Sequence, residues 1–240
     1  MADKKSSSNK KSSSKLGGLV SAVVGAIVVA AFVLYQLGII DLGQEEAGGG
    51  APQDGGTSAP SEDLSVEQAR TMLDELTVEE ENDPPGYDRA VFPHWSSQDG
   101  CNTRQTVLER SGEGVDMGDD CKAVSGSWYS AYDGETFTDP ADLDIDHMVP
   151  LKEGWRSGAH AWTTEERGRF ANDLESSPQL WAVSASTNRS KGDADPSEWM
   201  PPLESVHCEY VAAWIEVKHV WKLSVDPEEE TALREVLAGC

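Results

Sequence analysis

The chain has 240 residues, enough for one well-packed domain with appendages and short for two. Its formal charge of -24 is uneven: five of the 19 basic residues and one of the 43 acidic residues precede residue 41, so the remainder carries 14 basic and 42 acidic residues. So acidic a body excludes a protein that coats nucleic acid by long-range attraction; any such site has to be local, and solubility or a saline habitat accounts for the rest of the charge.

Taken in chain order, residues 1–15 read as a basic cytoplasmic tail, with Lys4, Lys5, Lys10, Lys11 and Lys15. Residues 16–40 carry no charge, and at ~1.5 Å per residue a helix there reaches about 37 Å, past the ~30 Å hydrocarbon core. Lysines before this segment and Asp41, Glu45 and Glu46 after it orient a single transmembrane helix with its N-terminus inside and the rest of the chain outside the membrane. A cleaved signal peptide is the alternative, which would leave a secreted protein, but its apolar core is normally ~7 to 15 residues. Residues 41–63 cannot bury enough apolar surface to fold and are expected to form a flexible linker.

Residues 64–86 are predicted to hold a lead-in helix and a connector, with Ser65 as the N-cap and Val66, Ala69, Met72, Leu73 and Leu76 at helical spacing. Residues 87–240 then form the folded domain. Its first part suggests loops, a helix near residues 103–110 and short strands around residues 122–132. At the other end Tyr210, Trp214, Val217 and Trp221 share one helical face, which reads as core packing. Asp226 caps a last helix that has Pro227 at its first position and three glutamates in its first turn.

Cys101, Cys121, Cys208 and Cys240 all fall on the expected outer side, where thiols oxidise. None shows a Cys-x-x-Cys spacing, which argues against a zinc knuckle. Four cysteines allow three connectivities, and nearness in sequence favours Cys101 with Cys121 and Cys208 with Cys240.

The chemistry is concentrated in residues 144–191. Asp144, Ile145, Asp146 and His147 alternate as a strand would, and Pro150 stops regular pairing. Asp146 and His147 point to opposite faces of a regular strand, so both serve one site only where the strand ends and turns. A polar excursion with a helix follows, then a second apolar run, residues 180–183, and a polar segment opening a helix. Strand, excursion, strand and helix give the outline of a ββα site. A phosphodiesterase needs such groups: a histidine near its ordinary pKa of ~6.5 generates the nucleophile, and a cation neutralises charge on the phosphate.

Asp146-His147-x-Val149-Pro150, Asn172 and Asn188-Arg189-x-Lys191 resemble the HNH endonucleases, whose ββα-metal, or His-Me finger, motif has this order. The wider text, including Trp155-x-Ser157-Gly158-Ala159, residues 170–173 and Trp199-x-Pro201, resembles the secreted actinobacterial branch of that family, similar to the HNH domain at the C-terminus of modification-dependent restriction enzymes. The resemblance covers about residues 87–240. It implies a small α+β, disulfide-stapled domain, with His147 as general base, Asp146 and Asn188 as metal ligands and Asn172 bracing the hairpin. It also implies one divalent ion, Mg²⁺ or Mn²⁺, and DNA more than RNA as substrate, cleaved with little sequence preference outside the cell membrane. Asn188 stands where many members have His.

Asp144 is a second metal ligand, a supporting group or a solvated strand residue, three readings left open here. Lys152, Arg156, Arg167, Arg169, Arg189 and Lys191 supply six of the 14 basic residues past the membrane segment. Of these Arg189 and Lys191, with Arg104 as a weaker third, are the expected phosphate contacts. His94, His160, His207 and His219 show no metal spacing. Two other classes fit the residues less well. An inactive binding module of the same fold has no need of the complete Asp146, His147 and Asn188 set; the other class is a different metal-dependent hydrolase, acting on cell-wall phosphodiesters or peptides, and its peptidase form lacks a His-Glu-x-x-His or three-histidine set here.

Overall fold

The computed structural model of the chain describes residues 64–98 and 100–240. The cytoplasmic tail, the membrane span of residues 16–40 and the linker up to residue 63 lie outside the described residues. Among the described residues no helix is long and apolar enough to cross a membrane.

Helix α1, Val66–Glu75, begins as the sequence predicts. The Ser65 hydroxyl accepts the Gln68 N–H while the Gln68 side chain reaches back to Ser65, a reciprocal cap that satisfies two orphan donors. Its buried Ala69 and Leu73 join the main core. Strands β1, Ser97–Gln98, and β2, Cys101–Asn102, pair antiparallel. The Asn102 side chain then caps α2, Thr103–Ser111, by accepting from Gln105 N.

Strands β3, Glu113–Met117, β4, Ala123–Tyr129, and β5, Thr136–Phe137, form an antiparallel sheet in the order β3-β4-β5. Trp128 on β4 is fully buried and donates its indole N–H to Leu108 O. Gly112 passes so close that a Cβ there would lie 2.4 Å from Trp128 Nε1, which leaves glycine as the residue that fits. The Cys101–Cys121 disulfide ties β2 to the turn ahead of β4. The sequence reading found β4 but not β3 or β5; β3 carries Glu113, Gly114 and Asp116 and buries no residue fully, so it has no apolar alternation to read.

Strands β6, Leu143–His147, and β7, Leu180–Ser184, pair antiparallel from Leu143↔Ser184 to His147↔Leu180. The excursion between them contains two helices where one was expected, α3, Leu151–Arg156, and α4, Thr164–Ala171. Ser184 caps α5, Ala185–Lys191, and Gly192, at φ +61°, turns the chain out of it. One face of the hairpin, with Leu143, Ile145, Leu180 and Ala182, packs with Val107, Leu108 and Trp128 in a smaller core. Trp181 and Val183 belong to the main one.

Helix α6, His207–Trp221, is the centre of that main core. The spacing of its aromatics predicts one apolar face, yet Tyr210, Val211, Ala212, Ala213, Trp214, Ile215 and Val217 are all buried. A helix surrounded on several sides has no solvent face to preserve. Even Lys218 is buried, its ammonium held by the Glu153 and Glu229 carboxylates, Ser157 Oγ and Ser224 O. Helix α7, Pro227–Gly239, is capped by Asp226 and is clasped to the start of α6 by the Cys208–Cys240 disulfide. Both disulfides are those favoured by nearness in sequence, and the folded part is the small disulfide-stapled α+β domain expected.

Candidate active site

Helix α5 lies along β6, and its spacing explains which side chains meet. Asn188 and Lys191 are three residues apart on one helical face, while Asp144 and Asp146 are two apart on one strand face. The pairs come into register: Asn188 Nδ2 donates to Asp144 Oδ2 at 3.3 Å, and the Lys191 ammonium pairs with Asp146 Oδ2. Beyond the end of β6, Gln179 extends the ladder. Its main-chain carbonyl accepts from Met148 N, and its side chain accepts from Val149 N and donates to Val149 O. The strand therefore ends under tight control, with His147 as its last residue.

Asp146, His147 and Asn188 line one cleft of about 480 Å³, together with Tyr87, Arg89, Lys152 and Asp193. Asp146 and His147 are neighbours at the end of β6, and the fold brings Asn188, 41 residues after His147, to the same cleft.

His147 is 4% exposed. Its Nε2 lies 3.0 Å from Ala171 O. A carbonyl can only accept, so Nε2 carries the hydrogen and Nδ1 is the unprotonated nitrogen of the neutral ring. The Trp95 ring flanks the imidazole at 5.6 Å. Burial pushes the His147 pKa down to about 3; the Ala171 hydrogen bond opposes this, and the positive charge of Arg89 adds to it.

The Asp146 carboxylate is buried with its counter-charge. Oδ2 accepts the Tyr132 O–H at 2.6 Å and the Lys191 ammonium, while Oδ1 has no hydrogen-bond donor among the described residues. Burial raises the Asp146 pKa despite Lys191 and lowers that of Lys191 despite Asp146. Lys191 also donates to His147 O at 3.0 Å and Met148 O at 2.8 Å. One ammonium thus orients the carboxylate and anchors the backbone on either side of it. Asn188 has a comparable division of labour: its Nδ2 is held by Asp144, so its amide oxygen is the atom left over.

Asn172 does not line the cleft. It is buried with all its polar capacity engaged: Oδ1 accepts from Ser96 N and Thr103 Oγ1, and Nδ2 donates to Pro93 O and Gly168 O, each at 2.7 to 2.9 Å. It immediately follows Ala171, whose carbonyl fixes the His147 ring.

The structure corrects two of the expected phosphate contacts. Lys191 has no exposed side-chain surface. Arg104 donates to Pro140 O and Leu143 O, and burial lowers its pKa. Arg189 remains exposed, 3.7 Å from Asp144. Most other cations of residues 144–191 are also engaged: Lys152 with Asp83, Arg156 with Glu81 and Asp193, Arg167 with Val91 O and Trp162 O. Asp144 accepts from Asn188 Nδ2 and lies 3.7 Å from the Arg189 guanidinium. His94, His160 and His207 bond to main-chain carbonyls and His219 to Glu75. Tyr132, Gln179 and Trp95 were not singled out in the sequence, where nothing in their spacing marks them.

Among the described residues no three His, Cys, Asp or Glu side chains form a metal cage. The cleft instead offers one carboxylate oxygen, of Asp146, and one amide oxygen, of Asn188, without partners among the described residues. That hard, sparse donor set fits an oxygen-loving divalent ion which keeps open positions.

A hairpin and helix that present Asp, His and Asn to one cleft, inside an α+β domain with two disulfides, define the ββα class. The chain belongs to the family described as GmrSD restriction endonucleases, C-terminal domain, an HNH type, which matches residues 111–236. It is also similar to an "Uncharacterized secreted protein" of Arthroderma benhamiae, with 50% identity over 177 residues, 73% of this chain and 86% of that relative. No solved structure matches the chain.

Proposed function

We propose that this protein is a divalent-metal-dependent endonuclease that hydrolyses phosphodiester bonds in DNA outside the cytoplasm, with little sequence preference. The observation that carries the reading is the fixed His147 tautomer: Nε2–H on Ala171 O leaves a neutral ring with Nδ1 able to accept a proton, in a residue that lines the same cleft as Asp146 and Asn188. His147 removes the proton from the attacking water. Asp146 and Asn188 would hold the ion through their side-chain oxygens, Mg²⁺ or Mn²⁺ by the hardness of the donors. When bound, that ion supplies positive charge for the scissile phosphate and the leaving oxygen. Asp144 keeps the Asn188 amide turned with its oxygen outward, Lys191 and Tyr132 orient Asp146, and Asn172 holds the loop that presents Ala171 O.

The two disulfides and the secreted relative support a site of action in an oxidising space outside the cell, with residues 16–40 as the anchor or, if cleaved, as the secretion signal. Incubating the full-length protein with supercoiled plasmid tests the reading. Nicking is expected with Mg²⁺ or Mn²⁺ and not with EDTA, and His147→Ala should reduce it by about 10² to 10⁴-fold. Failure of the wild-type protein to nick in any divalent ion, or full activity of the variant, refutes the assignment.

A further inference from the structure

The segment before the matched family region supplies one wall of the cleft, through Tyr87 and Arg89. This part of the backbone is held firmly. Asp88 caps the turn Arg89–Val91 by accepting from Ala90 N, Tyr87 packs edge-on against Trp155, and Phe92 is fully buried. Arg89 itself is exposed on this rigid support.

The charged side chains at the cleft are otherwise matched. Asp146 pairs with Lys191, Lys152 with Asp83 and Asp193 with Arg156, and His147 is neutral. Among the described residues Arg89 has neither an ion-pair nor a side-chain hydrogen-bond partner, so it is the uncompensated charge there. In a chain of net charge -24 a substrate polyanion is repelled by most of the surface. An unpaired guanidinium at the cleft, with its planar fork of donors, matches a phosphate group.

We propose that Arg89 is the residue that grips the nucleic-acid phosphate backbone at the mouth of this cleft, the role that the buried Lys191 cannot fill. The proposal rests on the nuclease reading and adds a binding residue to it. It contacts phosphate and not base edges, so it positions the strand without selecting sequence.

The test measures binding of the full-length protein to a fluorescent 30-base-pair duplex by anisotropy, in EDTA to prevent cleavage, over a range of salt. Arg89→Ala should weaken binding about tenfold at low salt. It should also reduce the slope of log affinity against log salt by about one, the signature of one lost phosphate contact. Arg89→Lys should restore the slope, because it restores the charge. Arg169→Ala, which removes an exposed arginine lining a different cavity, should keep the wild-type slope. If wild type binds and nicks DNA while Arg89→Ala keeps its affinity and slope, the proposal is overturned and the nuclease reading stands. If wild type neither binds nor nicks, the nuclease reading fails and takes this proposal with it.

Discussion

Lys191→Met separates a buried structural cation from a surface contact by a wide margin. Its side chain is 0% exposed and that of its partner Asp146 is 5% exposed. An exposed ion pair contributes about 0 to 1 kcal/mol, whereas breaking a buried pair from one side costs about 3 to 5 kcal/mol, because the remaining charge has neither water nor a partner. The substitution also takes a charged donor from His147 O and Met148 O. Proton uptake by Asp146, whose pKa burial already raises, limits the total. We expect a loss of about 3 to 5 kcal/mol, a large share of the roughly 5 to 15 kcal/mol that holds a domain folded. In urea, at pH 7.5 with EDTA and the disulfides intact, the midpoint should fall by about 2 M for a slope of about 2 kcal/mol per M. Adding Asp146→Asn should recover part of the loss, since it removes the stranded charge. A single-variant loss under about 1 kcal/mol, or no recovery in the double variant, would refute the buried-pair argument.

Two further outcomes follow from the same network. Burial depresses the folded pKa of His147 from 6.5 to about 3, so in that interval the unfolded chain binds more protons than the folded one. The contribution is therefore fully present above about pH 6.5 and is lost as pH falls towards about 3. Metal-free wild type should lose about 2 kcal/mol more than His147→Gln between pH 7.5 and pH 5.0 in paired urea titrations, and equal losses would show that the ring titrates freely. Asn172→Ala should cost about 1 to 3 kcal/mol by removing the hydrogen bonds to Ser96 N, Pro93 O, the buried Thr103 Oγ1 and the half-buried Gly168 O, and should lower nicking by displacing Ala171 O. A stable, fully active variant would remove Asn172 from its bracing role.

The parts of the site legible in the sequence are those whose geometry is local. Alternation over residues 144–147, the stop at Pro150 and the capped polar helix after residue 184 set a strand end and a helix start whatever surrounds them. The cysteines were legible for a similar reason, because each pair closes a short loop of chain. Strands β3 and β5 were not, since their residues lack the alternation that a buried face imposes.

The sequence by itself determined the chemical cast: one imidazole, two acids and one amide at spacings that allow a hairpin and helix to share them. Only the tertiary structure decided their partners. The rotation of α5 on β6 is set by packing, and that rotation turns Asn188 to Asp144 and takes Lys191 inside to Asp146, where a pattern of residue types suggested a surface cation. The placement of Arg89 beside His147, 58 residues later in the chain, depends on the folding of the connector against Trp155, and no periodicity records a contact of that range. Short-range backbone preferences are written into neighbouring residues, while the pairing of charges across elements depends on which faces the whole core presses together.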